Sequence, residues 1–139
     1  MIKPLHIGQV GGQPLRFFKT PLDDGRPDLP WHCVDDLQRC LGLNRHGGKI
    51  FLNMLRSHKE YRVIVQTVAT ADGIITLAPH FMAQGTIEAM IEAGEALEAV
   101  RTEYDHAGVE AMRKIAIPFP FPSDEYLDWM KAAMNRWQA

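Results

Sequence analysis

Two short apolar stripes broken at a glycine, within residues 30–55 (PWHCVDDLQRCLGLNRHGGKIFLNML), constrain this chain more than any other feature. Val34, Leu37, Cys40 and Leu41 recur at helical spacing, Asp35 or Asp36 can cap the start, and Gly42 supplies the stop. A second stripe follows at Ile50, Phe51, Met54 and Leu55. The pattern D-L-x-x-x-L-G-L, then a polar turn and another amphipathic segment, is that of a helix-turn-helix, whose second helix can lie in the major groove of DNA. Lys49, Asn53 and Arg56 would then share one outward face, because they follow one another by four and three residues.

A chain of 139 residues with 46% apolar content can build one core of ordinary size. It holds no run of 18 apolar residues, and its opening MIKPLHIGQVGGQPL lacks the apolar middle of a secretory signal. A cytoplasmic protein with no membrane partner is the expectation. Cys33 and Cys40 sit seven apart on the first predicted helix, out of reach of each other, so two free buried thiols are expected in a reducing compartment.

The net charge of -2 hides an asymmetry. Residues 1–62 carry ten Lys and Arg against six Asp and Glu, a net of +4, whereas residues 63–139 carry five against eleven, a net of -6. His6, His32, His46 and His58 lie in the basic half, which should grow more positive below about pH 6.5. A polyanion partner suits that half, and contact with a protein suits the acidic one. An ordinary solvated surface accounts for the same charges equally well.

Elsewhere the pattern predicts a strand over residues 14–19, a turn-rich loop at TPLDDGRPDLPW, and a strand over residues 61–69. Asp72-Gly73 signals a two-residue hairpin into a strand at residues 74–77, the order of a winged helix-turn-helix, although the tip carries Asp72 and no basic residue. Helices are expected over residues 81–93, with Gly94 ending or bending the first, and over 95–104; a loop at 105–108 precedes a short segment at 109–115. IPFPFPSD reads as an extended arm with Phe119 and Phe121 laid against the body. Ser123 caps a last helix. The arm divides the chain into residues 1–117, an α+β domain, and residues 118–139, an arm with a C-terminal helix.

Motifs of catalysis are missing from the sequence: no G-K-[ST] follows Gly11-Gly12 or Gly47-Gly48, and neither G-x-S-x-G nor H-E-x-x-H occurs. Gly47-Gly48 before Lys49 could hold one phosphate on exposed amides, or simply form a turn. His32, Cys33, Asp35 and Asp36 are metal-ligand types, but His32 and Cys33 should point apart. No catalytic residue, metal or cofactor is expected. Phe17, Phe18, Trp31, Phe51 and Tyr61 stand among basic positions, where stacking on bases competes with core packing. On the last helix Tyr126, Trp129, Met130 and Trp137 form a stripe that either caps its own core or makes a homodimer interface.

PLRFFKTPLDDGRPDLPWHCVDDLQRCLGL resembles the Bro-N type domain of phage antirepressors and related mobile-element proteins. Arg16 to Phe18, Asp24-Gly25, Pro30-Trp31, Val34, Asp36, Leu41 and Gly42 carry the resemblance, VQTVATADGIITLAP is similar to the family's later strand pair, and the likeness spans residues 14–91. It implies DNA binding or interference with a repressor, and no catalysis. The reading is therefore a small α+β domain with a helix-turn-helix-like pair, a β-hairpin and C-terminal helices, a DNA-binding regulator of phage or mobile-element type. Arg39, Arg45, His46, Lys49, Asn53 and Arg56 are the expected contacts to double-stranded DNA. The alternative is a protein-interaction module, an antirepressor or inhibitor, that engages a regulatory protein through the acidic half.

Overall fold

Phe17 and Phe18 are adjacent and each is 1% exposed, so the strand that carries them has apolar cover on both faces. The computed structural model, which describes residues 1–138 apart from the side chain of Glu60, supplies that cover with helices on one face and an aromatic plug on the other. The chain runs β1 (His6–Val10), β2 (Gln13–Phe18), β3 (Trp31–Cys33), α1 (Val34–Cys40), α2 (Arg45–Ser57), α3 (Lys59–Ile64), β4 (Gln66–Thr70), β5 (Gly73–Ala78), α4 (His80–Glu92), α5 (Ala99–Met112) and α6 (Asp124–Asn135). It is an α+β fold, with one antiparallel sheet in the order β1-β2-β3-β5-β4.

Register sorts the two cores. Phe17, His32 and Ala78 lie in one cross-strand row, and their face packs with Met82, Ile87 and Met90 of α4 and Tyr104, Ala107 and Ala111 of α5. Phe18, Trp31, Cys33, Ile75 and Leu77 form the opposite face, closed by Leu22, Ile64, Val68 and Trp137. His32 and Cys33 thus point apart, as the alternation of a strand demands. A close contact lies at Gly8 on β1, where a Cβ would come within 2.7 Å of the Ala107 Cβ. Glycine there lets α5 lie directly on the strand.

The sheet curls. Ile2 N–H donates to Ala69 O at 3.2 Å, in a parallel bridge with Thr70 at the far edge. Five flat strands would hold their edges about 19 Å apart, while the four residues from Ile2 to His6 reach about 14 Å. The bridge joins the start of the first edge to the end of the last, the stagger that tilted strands need to close.

At the centre β3 ends after three residues and the chain turns into α1, leaving backbone donors of β2 and β5 without a strand partner. Two carboxylates take its place. Asp36 Oδ2 accepts from Arg16 N–H at 3.0 Å and Asp35 Oδ2 from Thr76 N–H at 3.0 Å. Asp36, 1% exposed, also takes the Arg16 guanidinium at 2.8 and 3.0 Å and pairs with Arg39. The cap of α1 is therefore Cys33, whose Sγ accepts from Asp36 N–H at 3.4 Å, rather than either aspartate. Gly42 at φ +61° and Ser123 end and begin their helices as expected.

Several elements depart from the sequence reading. Strands β1 and β3 escaped it, the first lying in a glycine-containing lead that ends in the Gly11-Gly12 turn and the second being only three residues long. Residues 61–64 are helical and only 66–70 form a strand, because Tyr61 and Ile64 pack inward at helical spacing. The expected loop at 105–108 is inside continuous α5, where Tyr104, Ala107 and Ala111 form one buried stripe through Gly108. Ala71 and Asp72 make the second hairpin turn, with Gly73 the first residue of β5. Phe121 is 74% exposed, against the expectation that the arm lays it on the body, and contacts Tyr126 edge-on.

Helix α6 is anchored at its end by the molecule's own core. The Trp137 indole donates to Asp28 Oδ1 at 3.3 Å and lies edge-on to Trp31 and beside Phe81, with ring centroids 6.0 and 5.7 Å away. Arg136 binds Asp24 and the Arg26 carbonyl. Tyr126, Trp129 and Met130 are half-buried.

Two outcomes follow. Replacing Asp36 by Asn should cost about 3 kcal/mol in urea unfolding, since it leaves Arg16 charged beside an uncharged partner. Burial raises the Asp36 pKa, but the hydrogen bonds and charge of Arg16, with the charge of Arg39, outweigh it and hold the group below the ordinary carboxylate range. The unfolded chain then binds the extra proton, so this stabilisation is complete above about pH 4 and is lost as pH falls through the lower folded value. The Asn variant should lose less stability than the native protein on acidification from pH 5 to 2. Trp137→Ala should cost about 2–3 kcal/mol; if Trp137 instead serves a dimer, light scattering will show a dimer that the variant dissociates.

Candidate nucleic-acid interface

Helix α2 is strongly amphipathic. Phe51 is buried and Ile50, Met54 and Leu55 pack on the helical core, while Arg45, His46, Lys49, Asn53 and Arg56 are exposed. Asn44 starts the helix by accepting Gly47 N–H on Oδ1 at 2.8 Å. Five of the six residues expected to contact DNA therefore share one helix. Lys59 and Arg62 of α3 are exposed as well. The extended residue His58 breaks the helix between α2 and α3, yet Arg56 and Arg62 line the same groove; reading residues 61–69 as a strand hid the helical part of this cationic stretch.

The two helices around Gly42 are not packed as an isolated pair. Helix α1 lies on β2, β3 and β5, and α2 on α3 and α4. They approach at Gly48, where a Cβ would stand 3.8 Å from Gln38 Nε2. Arg39 is bonded to Asp36, although its side chain is 57% exposed. It shares that one carboxylate with Arg16, so its charge is partly offset.

The amides of Gly47-Gly48 are not a vacant phosphate cradle, nor do they form a turn. Gly47 is buried within the first turn of α2, its N–H goes to Asn44, and the Gly48 N–H goes to Asn44 O at 2.8 Å. A Cβ on Gly47 would also come within 2.9 Å of Glu95 Oε2. Glu95 thus places an anion of the protein itself at the positive end of the helix, where a phosphate would have gone. His46 Nε2 lies 3.9 Å from the same carboxylate, so the cationic surface begins with Arg45 and Lys49.

The histidines add less charge than their number implies. His32 is wholly enclosed, and burial lowers its pKa to about 3, with His80 adding to the fall. Burial, with Lys114 behind it, lowers that of His6 too. His32 therefore adds no charge to the basic half near pH 6, and His6 adds less than a free imidazole would.

Density distinguishes this face: five exposed cations fall within residues 45–62, whereas the other cations without a described salt bridge, Lys3, Lys19, Arg26, Lys114 and Lys131, are scattered along the chain. Arg101, Arg113 and Arg136 each hold a carboxylate, and Arg16 and Arg39 share that of Asp36. Among the described side chains, none within salt-bridge distance serves Arg45, Lys49, Arg56, Lys59 or Arg62. Glu60 is the one acid within residues 45–62, and four acids upstream are engaged elsewhere: Asp24 and Asp28 with α6, Asp35 and Asp36 with the sheet. Both cysteines are buried and free, and burial raises Cys33 to about 11 and Cys40 to about 12. Neither supplies a thiolate at neutral pH.

The chain matches no known family model, no curated protein and no solved structure. Among the described residues, no helix is long and apolar enough to cross a membrane.

Proposed function

We propose that the protein binds double-stranded DNA through the outward face of α2 and α3, as a regulator of phage or mobile-element type. The observation that carries this reading is density: Arg45, Lys49, Arg56, Lys59 and Arg62 are all exposed within eighteen residues of α2 and α3 and have no salt-bridge partner among the described side chains. Arg45, Lys49, Arg56, Lys59 and Arg62 bind phosphates, and Asn53, between two of them on α2, is placed to meet a base edge. The resemblance of residues 14–91 to Bro-N type domains supports the same reading. Arg39 and His46 contribute less, each being held near an acid of the protein itself.

Phosphate contacts make binding depend on salt. With about five phosphates engaged, affinity for a mixed-sequence duplex should fall about 500-fold between about 50 and about 200 mM monovalent salt. The double variant Lys49→Glu, Arg56→Glu should weaken binding and flatten the salt slope by about two, measured by fluorescence anisotropy. Its thermal midpoint should stay within about 2 °C, because both side chains are exposed. No binding at low salt would overturn the proposal in favour of a protein partner engaged through the acidic half.

A further inference from the structure

Helix α6 is fixed at its C-terminal end, and a cleft opens between its Met130 and Met134 and helices α4 and α5. The main chamber is about 320 Å³, and a second of about 250 Å³ shares His80, Gln84 and Met134 with it. A space of this size takes an organic molecule of roughly ten to fifteen non-hydrogen atoms. Met112, Met130 and Met134 give it a polarizable, adaptable apolar wall.

The polar part of the lining is built from below. Tyr104 is 1% exposed, and its hydroxyl lies 3.0 Å from His80 Nδ1. Burial keeps the phenol protonated, and a buried O–H donates where it has a partner. Tyr104 thus donates to Nδ1, which puts the His80 proton on Nε2. Burial also lowers the His80 pKa, opposed by the charge of Asp105, so the ring is neutral at pH 7. His32 stands edge-on to Tyr104 and fixes the phenol from the other side.

The charge balance of the cleft selects its ligand. Two carboxylates line it, Asp28 and Asp105. Asp28 accepts from the indoles of Trp31 and Trp137 and lies 3.7 Å from the Arg136 guanidinium. Asp105 is exposed at the rim and, among the described residues, has no salt-bridge partner. The lining therefore has one uncompensated charge, a negative one, beside an apolar wall.

We propose that the cleft between α4, α5 and α6 binds a small apolar molecule carrying a basic nitrogen, with the nitrogen against Asp105 and the apolar body against Met112, Met130 and Met134. The site is separate from the α2–α3 face, and its occupancy is independent of DNA binding.

Two probes of matched shape and opposite charge, 4-phenylbutylamine and 4-phenylbutyrate, test this with the full chain labelled at its methionine methyl groups with carbon-13. The amine should shift the signals of Met112, Met130 and Met134 saturably, with a midpoint in the millimolar range, and leave buried Met82 and Met90 in place. The carboxylate should bind about three- to fivefold more weakly, the factor that an exposed ion pair supplies. Asp105→Asn should bring the two probes to equal affinity, with unchanged Met82 and Met90 signals showing that the variant is folded. No saturable shift, equal binding of both probes to the native protein, or a preference that survives Asp105→Asn would overturn the proposal.

Discussion

The rest of the architecture depends on two carboxylates that stand in for a missing length of strand. Strand β3 stops after Cys33, and β2 and β5 then run on with donors turned to the gap. Asp35 and Asp36, adjacent in sequence on the first turn of α1, reach to opposite sides and accept from Thr76 and Arg16. A helix is thereby inserted into the sheet plane without orphaned backbone groups. Because Asp36 is buried, it must be paired, and the Arg16 guanidinium that pairs with it rises from the same residue whose N–H it accepts. Burial of the pair is tolerable because its polar atoms are answered by hydrogen bonds as well as by charge.

What the sequence displayed was local chemistry; what it concealed was chosen by packing. Gly42 and Ser123 mark helix ends with side chains and φ values that hardly any other context would use, and the stripes of α1, α2 and α4 lie where their periodicity places them. Strand β3 has no alternation to detect, since Trp31, His32 and Cys33 are all buried. Tyr61, Arg62 and Val63 have side chains suited to a strand, and tertiary contacts of Tyr61 and Ile64 with the helical core overrode that preference. For the candidate site, exposure of α2 followed from its amphipathic pattern. The bond between Arg39 and Asp36 did not, because it depends on a carboxylate buried by the sheet.

Charge in this molecule is sorted by burial as much as by sequence. The +4 of residues 1–62 includes six acidic side chains, and Asp24, Asp28, Asp35 and Asp36 are bound to the sheet or to α6. Those bonds also engage Arg16, Arg39 and Arg136. The densest run of exposed cations is on α2 and α3, at Arg45, Lys49, Arg56, Lys59 and Arg62, apart from these four aspartates and with Glu60 the one acid inside the stretch. A net charge counted over the whole half understates that local concentration.

That concentration rests on a part of the fold with comparatively little buried surface. In α2 only Gly47 and Phe51 are buried, and α3 holds to the body chiefly by Tyr61 and Ile64, both half-buried. Helices α4 and α5 by contrast bury nine residues between them. Local opening should begin where fewer apolar contacts must be lost, which makes α2–α3 the low-stability end of the molecule. Repulsion among Arg45, Lys49, Arg56, Lys59 and Arg62 acts in the same direction, and it is relieved when anions settle between them. A polyanion bound there would therefore tighten the two helices against Phe51 as well as occupy their surface, raising amide protection in α2 and α3 more than in the sheet, by the mass-action stabilisation that any ligand of the folded form confers.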